Sequence, residues 1–216
     1  MGCTLACPPH FNKIKTASKT RSNVVPFVLN KDDKAILIQH WIHTVLAQEP
    51  ELFLKTMLAS IEESPKLLDI ISCKMYDPGL EENIDKWPKL HKMARGNCAF
   101  FTRQIVTNRL NEALIVTNRL NEALVRQDSE KLGAIHIQYA PYGFKPTFLD
   151  IWQQNMIRLV EQCVFPSDID RLLFLKAFKT FCTFLCTLMI MEYEDSMQTV
   201  RHKERLCHPE IFTITM

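Results

Sequence analysis

The sequence has little glycine and no convincing strand pattern. Only 5 of its 216 residues are glycine, and no segment alternates apolar and polar residues over the length of a strand. Strand-rich folds need such alternation, with turn residues between the strands. Residues that favour helices (Leu, Met, Lys, Glu and Ala) are plentiful instead. We therefore predict an all-α protein.

The cysteines lack the spacing of a metal or redox motif. There are 8 cysteines, and none forms a CxxC pair. A chain of this length buries enough core to fold without a disulfide framework, so we expect reduced thiols and a cytoplasmic location. Cys182 and Cys186 lie four residues apart on an apolar helical face, which indicates core packing rather than metal binding.

Long hydrophobic runs and a strong charge imbalance are also missing. The most apolar stretch, Leu172 to Met191, is interrupted by Lys176 and Lys179. Its uninterrupted part, from Phe181, is shorter than the ~20 residues of a membrane-spanning helix. The formal net charge is only +2, which gives no reason to expect a nucleic-acid partner.

The first 30 residues contain no acidic side chain, although basic residues are spread among Ser, Thr, Asn and Pro. This composition predicts a disordered basic extension over residues 1–30. We expect a single folded domain over residues 31–198 and a flexible tail over residues 199–216.

The first three residues, Met1-Gly2-Cys3, are similar to the start of dually acylated proteins. The similarity implies myristate on Gly2 and palmitate on Cys3, although Ala6 stands where that pattern prefers Ser or Thr. Two acyl chains with a basic arm would hold a soluble domain at an anionic surface. We therefore predict a peripheral protein at the inner face of the plasma membrane, with an unmodified tail as the alternative.

Apolar residues recur at spacings of three and four along most of the chain, which predicts seven to eight helices. The predicted helices cover Asp32–Ala47, Pro50–Ser64, Pro65–Ile71, a long segment from Pro88, Asp128–Tyr139, Pro146–Cys163 and Ser167–Met197.

A tandem duplication interrupts this pattern. Residues 105–114 read IVTNRLNEAL, and residues 115–124 repeat them letter for letter. Ten residues at ~100° each turn a helical face by roughly 80°, so both copies cannot continue one amphipathic helix. One copy must loop out or over-extend the helix. We interpret the repeat as a recent duplication or an error in the gene sequence, without a functional role.

The segment from Leu132 to Phe148 carries the strongest functional signal. It reads LGAIHIQYAPYGFKPTF, with His136 four residues after Leu132 and with Phe144 and Phe148 after a short corner. This arrangement resembles the proximal helix and following corner of the globin family, in which such a histidine ligates haem iron. The resemblance implies a globin fold that binds haem b through His136.

Other features of the chain agree with this resemblance. Trp41 lies in the first predicted helix, Pro65 follows 24 residues later, and the helix from Pro88 stands where globins place the distal helix. The separation from that helix to His136 suits a globin once one copy of the decapeptide is removed. The segments after the corner and around Trp152 are similar to those of nematode globins.

The resemblance also implies the lining of the haem site. We predict walls formed by Met57, Leu68, Ile71, Leu132, Phe144 and Phe148. Ile71 takes the place of the phenylalanine that wedges the haem in most globins. The usual distal histidine is missing: the register places Met93 there, with Asn97 one turn on, and His91 is an outside candidate.

These residues leave the distal chemistry open among an unusual hydrogen-bond donor, a sixth ligand such as Met93, and a vacant apolar site. The predicted function is reversible binding of O2, NO or CO, one-electron haem redox or gas sensing, with an unidentified redox partner. Two alternatives remain: a globin-fold interaction module without haem, and an enzyme similar to peroxidase or dioxygenase globins.

Overall fold

The computed structural model describes residues 25–72, 83–107 and 120–207, with side chains as far as residue 203. All regular structure within these residues is helical, so the prediction of an all-α protein is confirmed. Seven α-helices follow one another there: α1 (Lys31–His40), α2 (Leu52–Glu63), α3 (Lys66–Ser72), α4 (Pro88–Thr102), α5 (Glu122–His136), α6 (Thr147–Val160) and α7 (Asp168–Cys207). Two π-helical turns, Trp41–Leu46 and Arg103–Thr107, extend α1 and α4, and 3-10 turns occupy Ile84–Lys86 and Ile137–Tyr142.

The predicted acylation sites, Gly2 and Cys3, lie outside the described residues, so their modification stays a prediction. The end of the predicted extension, residues 25–30, is ordered on the domain. The guanidinium of Arg126 donates to the Val25 carbonyl at 2.9 Å, and the ring of Phe27 packs 4.7 Å from that of Phe184. The prediction of disorder as far as residue 30 is therefore wrong, because this short apolar segment covers α5 and α7.

Side-chain caps fix where two of the helices begin. Asn30 and Asp33 form a capping box at the start of α1, each accepting from the other's backbone N–H. The Asn121 side chain accepts from the backbone of Ala123 and Leu124 and starts α5 at Glu122. The predicted start of this helix at Asp128 is therefore six residues late.

Helix α7 continues beyond its predicted end at Met197 to Cys207. No glycine or proline occurs between Asp168 and Cys207, so nothing in the backbone chemistry ends the helix near Met197. The prediction of a flexible tail is wrong for residues 199–207, and the remainder of that tail lies outside the described residues.

By length and composition α7 could cross a membrane, since its most apolar window has a mean hydropathy of 1.6. The same window is 61% buried inside the protein. Helix α7 packs against α1, α5 and α6. Helix α2 packs against α4 and α6, so α6 contacts both α2 and α7. We interpret α7 as the central core helix of the domain.

The core centres on aromatic side chains from α4, α7 and the π-helical turn that extends α1. Trp41 is fully buried and stacks on Phe178 at 5.7 Å, and Phe101 packs edge-on against Phe181 at 5.9 Å. Leu37, Trp41 and Val45, spaced by four residues, are buried, although a π-helical turn carries the last two.

Candidate functional site

A cleft with a cavity volume of about 130 Å³ lies among the helices and opens to the surface. Its walls are apolar apart from a few polar side chains, and α2, α3, α4, α5, α6, α7 and the turn after α5 all contribute. Such a cleft with few polar groups is typical of a site for a mainly apolar ligand. The residues that line it are Met57, Ser60, Leu67, Ile70, Ile71, Met93, Asn97, Phe100, Phe101, Leu132, His136, Tyr139, Phe144, Phe148, Leu149, Trp152, Leu185, Cys186 and Met189.

His136 is one of the titratable residues that line this cleft. It is the last residue of α5, and its Nδ1 lies 2.7 Å from the Leu132 carbonyl oxygen one turn earlier. Because a carbonyl only accepts, Nδ1 carries the proton and donates to it. In a neutral ring Nε2 then has a free lone pair, and it has no hydrogen-bond partner among the described residues. A histidine held in this way is typical of a metal ligand.

Burial keeps the His136 ring neutral. Removal from water lowers the pKa of His136 below its usual value of 6.5, and the hydrogen bond to Leu132 opposes this only in part. The ring nevertheless reaches the cleft, since His136 is half-buried and lines it. The neutral form is the one that can bind a metal ion.

Aromatic side chains hold the His136 ring in place. Its centroid lies 5.1 Å from that of Phe144 and 6.2 Å from that of Tyr139. Phe144 in turn contacts Phe148 and Tyr193, and the Tyr193 hydroxyl donates to the Phe144 carbonyl at 3.1 Å. Gly143 adopts φ +91° in this corner, a conformation that glycine tolerates best, and turns the chain back toward the cleft.

Helix α4 supplies another wall of the cleft. Met93 and Asn97, one turn apart, both line it, and the Asn97 amide donates to the Met57 sulfur at 3.9 Å. Helix α4 packs on α2, whereas α5 packs on α7. The cleft therefore has Met93 and Asn97 on one helix and His136 on another.

The structure brings eight of the nine predicted lining residues to this cleft. The exception is Leu68, which packs against the core and does not line the cleft. Helix α3 starts at Lys66, and its inward face carries Leu67, Ile70 and Ile71 at spacings of three and one. The prediction at Leu68 was wrong by one position, and Ile71 lies where the prediction placed it.

His91, the outside candidate, does not line the cleft. Its Nε2 lies 2.6 Å from the Asp85 carbonyl, so it ties the start of α4 to the preceding 3-10 turn. Sequence reasoning also missed several lining residues that reach the cleft from α6 and α7: Leu149, Trp152, Leu185, Cys186 and Met189. Their apolar periodicity identified them as core residues, and nothing in it showed that this part of the core is open.

Cys186 brings a thiol to the cleft but not a thiolate. Burial raises the pKa of Cys186 to about 12, and the nearby charge of Asp150 adds to the effect. The pKa of Cys182, one turn earlier and fully buried, also lies well above its usual value because of burial. Both thiols are therefore protonated at neutral pH, and their burial agrees with the predicted role in core packing.

Comparisons with protein-family models, curated proteins and solved structures found no match for this chain. The resemblance to globins thus depends on the residues themselves. Among the described residues no group of three or more His, Cys, Asp or Glu side chains could hold a metal ion.

The residues of the cleft fit a haem group in chemistry. The walls are apolar and largely aromatic, and His136 offers a neutral nitrogen to iron. The indole Nε1 of Trp152 is buried without a hydrogen-bond partner among the described residues. Such an unpaired donor costs free energy, and a polar group on a bound ligand would relieve it.

Proposed function

We propose that this chain is a haem protein in which Nε2 of His136 is the axial ligand of the iron. The observation that carries the proposal is the hydrogen bond from Nδ1 to the Leu132 carbonyl, which leaves Nε2 unprotonated at an apolar cleft. Bound haem would supply an iron that binds a diatomic gas (O2, NO or CO) or exchanges one electron.

The chain's own residues have three tasks in this proposal. His136 donates its Nδ1 proton to Leu132, which orients the ring and raises the basicity of Nε2. Phe144 restricts the ring by direct contact, and Phe148 packs against Phe144. The apolar wall on α2 and α3, including Met57 and Ile71, provides a surface on which a flat macrocycle can pack.

The α4 wall supports gas binding more directly than electron transfer. The Asn97 amide is a hydrogen-bond donor at the cleft whose described partner is only the Met57 thioether, a weak acceptor. A bound oxygen atom would be a stronger acceptor than this sulfur. Met93 on the same helix could instead be a second axial ligand, which would favour one-electron redox.

The haem proposal predicts a spectrum that depends on His136. The His136→Ala variant should lose axial ligation and bind haem at least about tenfold more weakly. Substitution of residues that only support a metal ligand already weakens metal binding by this factor. Added imidazole should restore the ligation, since it supplies the missing nitrogen. Absorption spectra of the ferric and ferrous protein with titrated haem measure both effects.

The matched control is His91→Ala on α4, which removes a histidine that does not line the cleft. It should keep the wild-type Soret band and haem affinity. A wild-type spectrum in His136→Ala would refute the axial assignment. Absence of haem binding by the wild-type protein would favour the interaction-module alternative, and peroxide turnover by the loaded protein would favour the enzyme alternative. Membrane attachment through Gly2 and Cys3 stays a separate prediction of the sequence.

A further inference from the structure

Exposed apolar side chains are concentrated near the start of α7. Six large hydrophobic side chains are exposed in the described residues, and four of them lie within ten positions: Val164 (75%), Ile169 (70%), Leu172 (70%) and Leu173 (43%). Scattered exposed hydrophobic residues are ordinary, but such a concentration is typical of an interaction surface.

Three of these residues form one face of α7. Ile169, Leu172 and Leu173 are spaced by three and by four, and Lys176 continues the same face one turn on. The opposite face carries Phe174 and Phe178, which are fully buried in the core. We call Ile169, Leu172, Leu173 and Lys176 the exposed stripe.

The backbone that carries this stripe is firmly held. The Ser167 hydroxyl accepts from the backbone N–H of Asp170 at 3.1 Å and donates to its carboxylate at 2.9 Å. In the preceding loop, the Gln48 side chain bonds both the N–H and the carbonyl of Val164, at 2.9 and 2.7 Å. The exposure of the stripe is therefore a feature of an ordered helix start rather than of a frayed end.

The charges beside the stripe are complementary to those of a second copy. Asp168 and Lys176 lie four residues before and after Leu172, about 6 Å along the helix on either side. When two stripes meet antiparallel at Leu172, each Asp168 comes level with the Lys176 of the other copy. A parallel arrangement would set like charges against each other. Neither Asp168 nor Lys176 has an ion pair within the described residues.

The other nearby charges are already engaged within the chain. Lys179 pairs with Glu161 at 2.6 Å, the Asp170 carboxylate accepts from the Ser167 hydroxyl at 2.9 Å, and Arg171 donates to the Glu161 carbonyl at 3.1 Å. We propose that the exposed stripe joins two copies of this chain in an antiparallel pair with two-fold symmetry. Such a pair is isologous, which means that the same residues of each copy form the interface. The pair is a weak one, because the stripe is small beside the surfaces of stable dimers.

Sedimentation velocity of the full chain measures this association. From about 1 µM to 1 mM, the range of weak interfaces, the mass should rise from 25.1 kDa toward twice that value. Leu172→Asp should keep the protein monomeric and raise the dissociation constant at least about tenfold. Val28→Asp, at a side chain that is 68% exposed outside the stripe, is the matched control and should associate as the wild type does.

Charge reversal tests the antiparallel arrangement. Asp168→Lys and Lys176→Asp should each weaken association, and the double variant should restore it, because its charges are again complementary across the pair. Unchanged association in Leu172→Asp would overturn the proposal, as would a double variant no stronger than the single ones. The proposal would also be overturned if Leu172→Asp reduced co-sedimentation with phosphatidylserine vesicles but left the mass in sedimentation velocity unchanged.

Discussion

Which ring nitrogen of His136 carries a proton decides what the side chain can bind. The Leu132 carbonyl accepts from Nδ1 and so selects the tautomer with a free Nε2. The same hydrogen bond fixes the ring plane at the end of α5. A second proton on the ring would occupy Nε2 and remove the only lone pair that can reach a metal.

The lowered pKa of His136 predicts loss of stability in mild acid. The unfolded chain takes up this proton at a pKa near 6.5, whereas burial makes the folded chain resist it. Between 6.5 and the lower folded pKa, the unfolded state binds more protons, so the free energy of unfolding falls as the pH falls. Above 6.5 this contribution is fully present. Chemical denaturation of the haem-free protein from about pH 7.5 to 5 measures the effect.

The matched variant for this measurement is His136→Gln, which cannot titrate. Its free energy of unfolding should fall less steeply with acid than that of the wild type, since the remaining groups contribute to both proteins. Parallel curves would show that burial does not perturb His136. In the haem-loaded protein the same proton competes with iron, so haem release should also increase in this pH range.

The candidate site could be predicted where it depends on the spacing within one helix. His136 and Leu132 face the same way because they are one turn apart, and the corner aromatics follow within a few residues. Leu67 and Leu68 are neighbours ~100° apart on α3, and which of them faces the cleft depends on how α3 packs. Trp152 and Cys186 could not be predicted as lining residues, because their place depends on how α6 and α7 approach each other.

At the scale of elements, the position of α5 depends on a close approach to α7 at Gly133. A Cβ atom on Gly133 would lie 2.5 Å from the carbonyl oxygen of Met189 and 2.9 Å from its Cα. These are backbone atoms of the central helix, so they cannot move aside alone. Gly133 is one turn before the end of α5 and therefore sets the distance of His136 from α7.

We expect Gly133→Ala to destabilise the protein and to weaken haem binding. Alanine favours the helix by up to about 1 kcal/mol, but the clash with Met189 costs about 1–3 kcal/mol or more. The net loss should lower the melting temperature by a few degrees, at about 2–4 °C per kcal/mol for a chain of this size. Calorimetry and a haem titration measure the two effects.

Gly96→Ala is the matched control, since Gly96 also lies within a helix but a Cβ atom on it would meet no neighbouring element within 4 Å. It should raise stability by about 1 kcal/mol through helix propensity alone. Equal effects of the two substitutions would contradict the close approach of α5 and α7.

The course of α1 shows which part of an element the sequence predicts. Its buried stripe could be predicted, because burial of Leu37, Trp41 and Val45 follows from their spacing. The change to π-helical geometry at Trp41 could not, since it depends on long-range contacts of that side chain. The Trp41 indole donates to the Thr102 hydroxyl at 3.1 Å and its ring stacks on Phe178. The end of α7 was mispredicted for the opposite reason, because polar composition alone does not end a helix.

At the scale of the whole molecule, residues at the start of the first copy and near the end of the second copy of the duplicated decapeptide belong to the folded domain. Ile105, at the start of the first copy, is buried in the turn that extends α4. In the second copy, Leu120 is buried and Asn121 is the N-cap of α5. The backbone N–H of Leu120 donates to the Gln104 carbonyl at 3.3 Å, so the chain returns beside the point at which it left.

We predict that a chain with a single copy folds and binds haem as the full chain does. Deletion of residues 108–117 gives the same protein as deletion of either copy, and it joins Thr107 to Asn118 and Arg119 before Leu120. Five residues then connect Gln104 to Leu120 in place of fifteen. At up to ~3.5 Å per residue, five residues are long enough to keep the hydrogen bond between the two backbones. The shorter connection should stabilise the protein by about 1 kcal/mol through loop-closure entropy.

Replacement of residues 108–117 by a Gly/Ser segment of equal length separates the effect of length from that of sequence. This control should retain haem binding and remain within about 1 kcal/mol of the wild type, since it changes no described contact. Circular dichroism, thermal unfolding and a haem titration of the three proteins make the comparison. If the deletion abolished folding or haem binding, the repeat would be an essential part of the domain. Retention of both properties would show that Gln104 and Leu120 can meet without the second copy, and that α4 and α5 are positioned by their packing on α2 and α7.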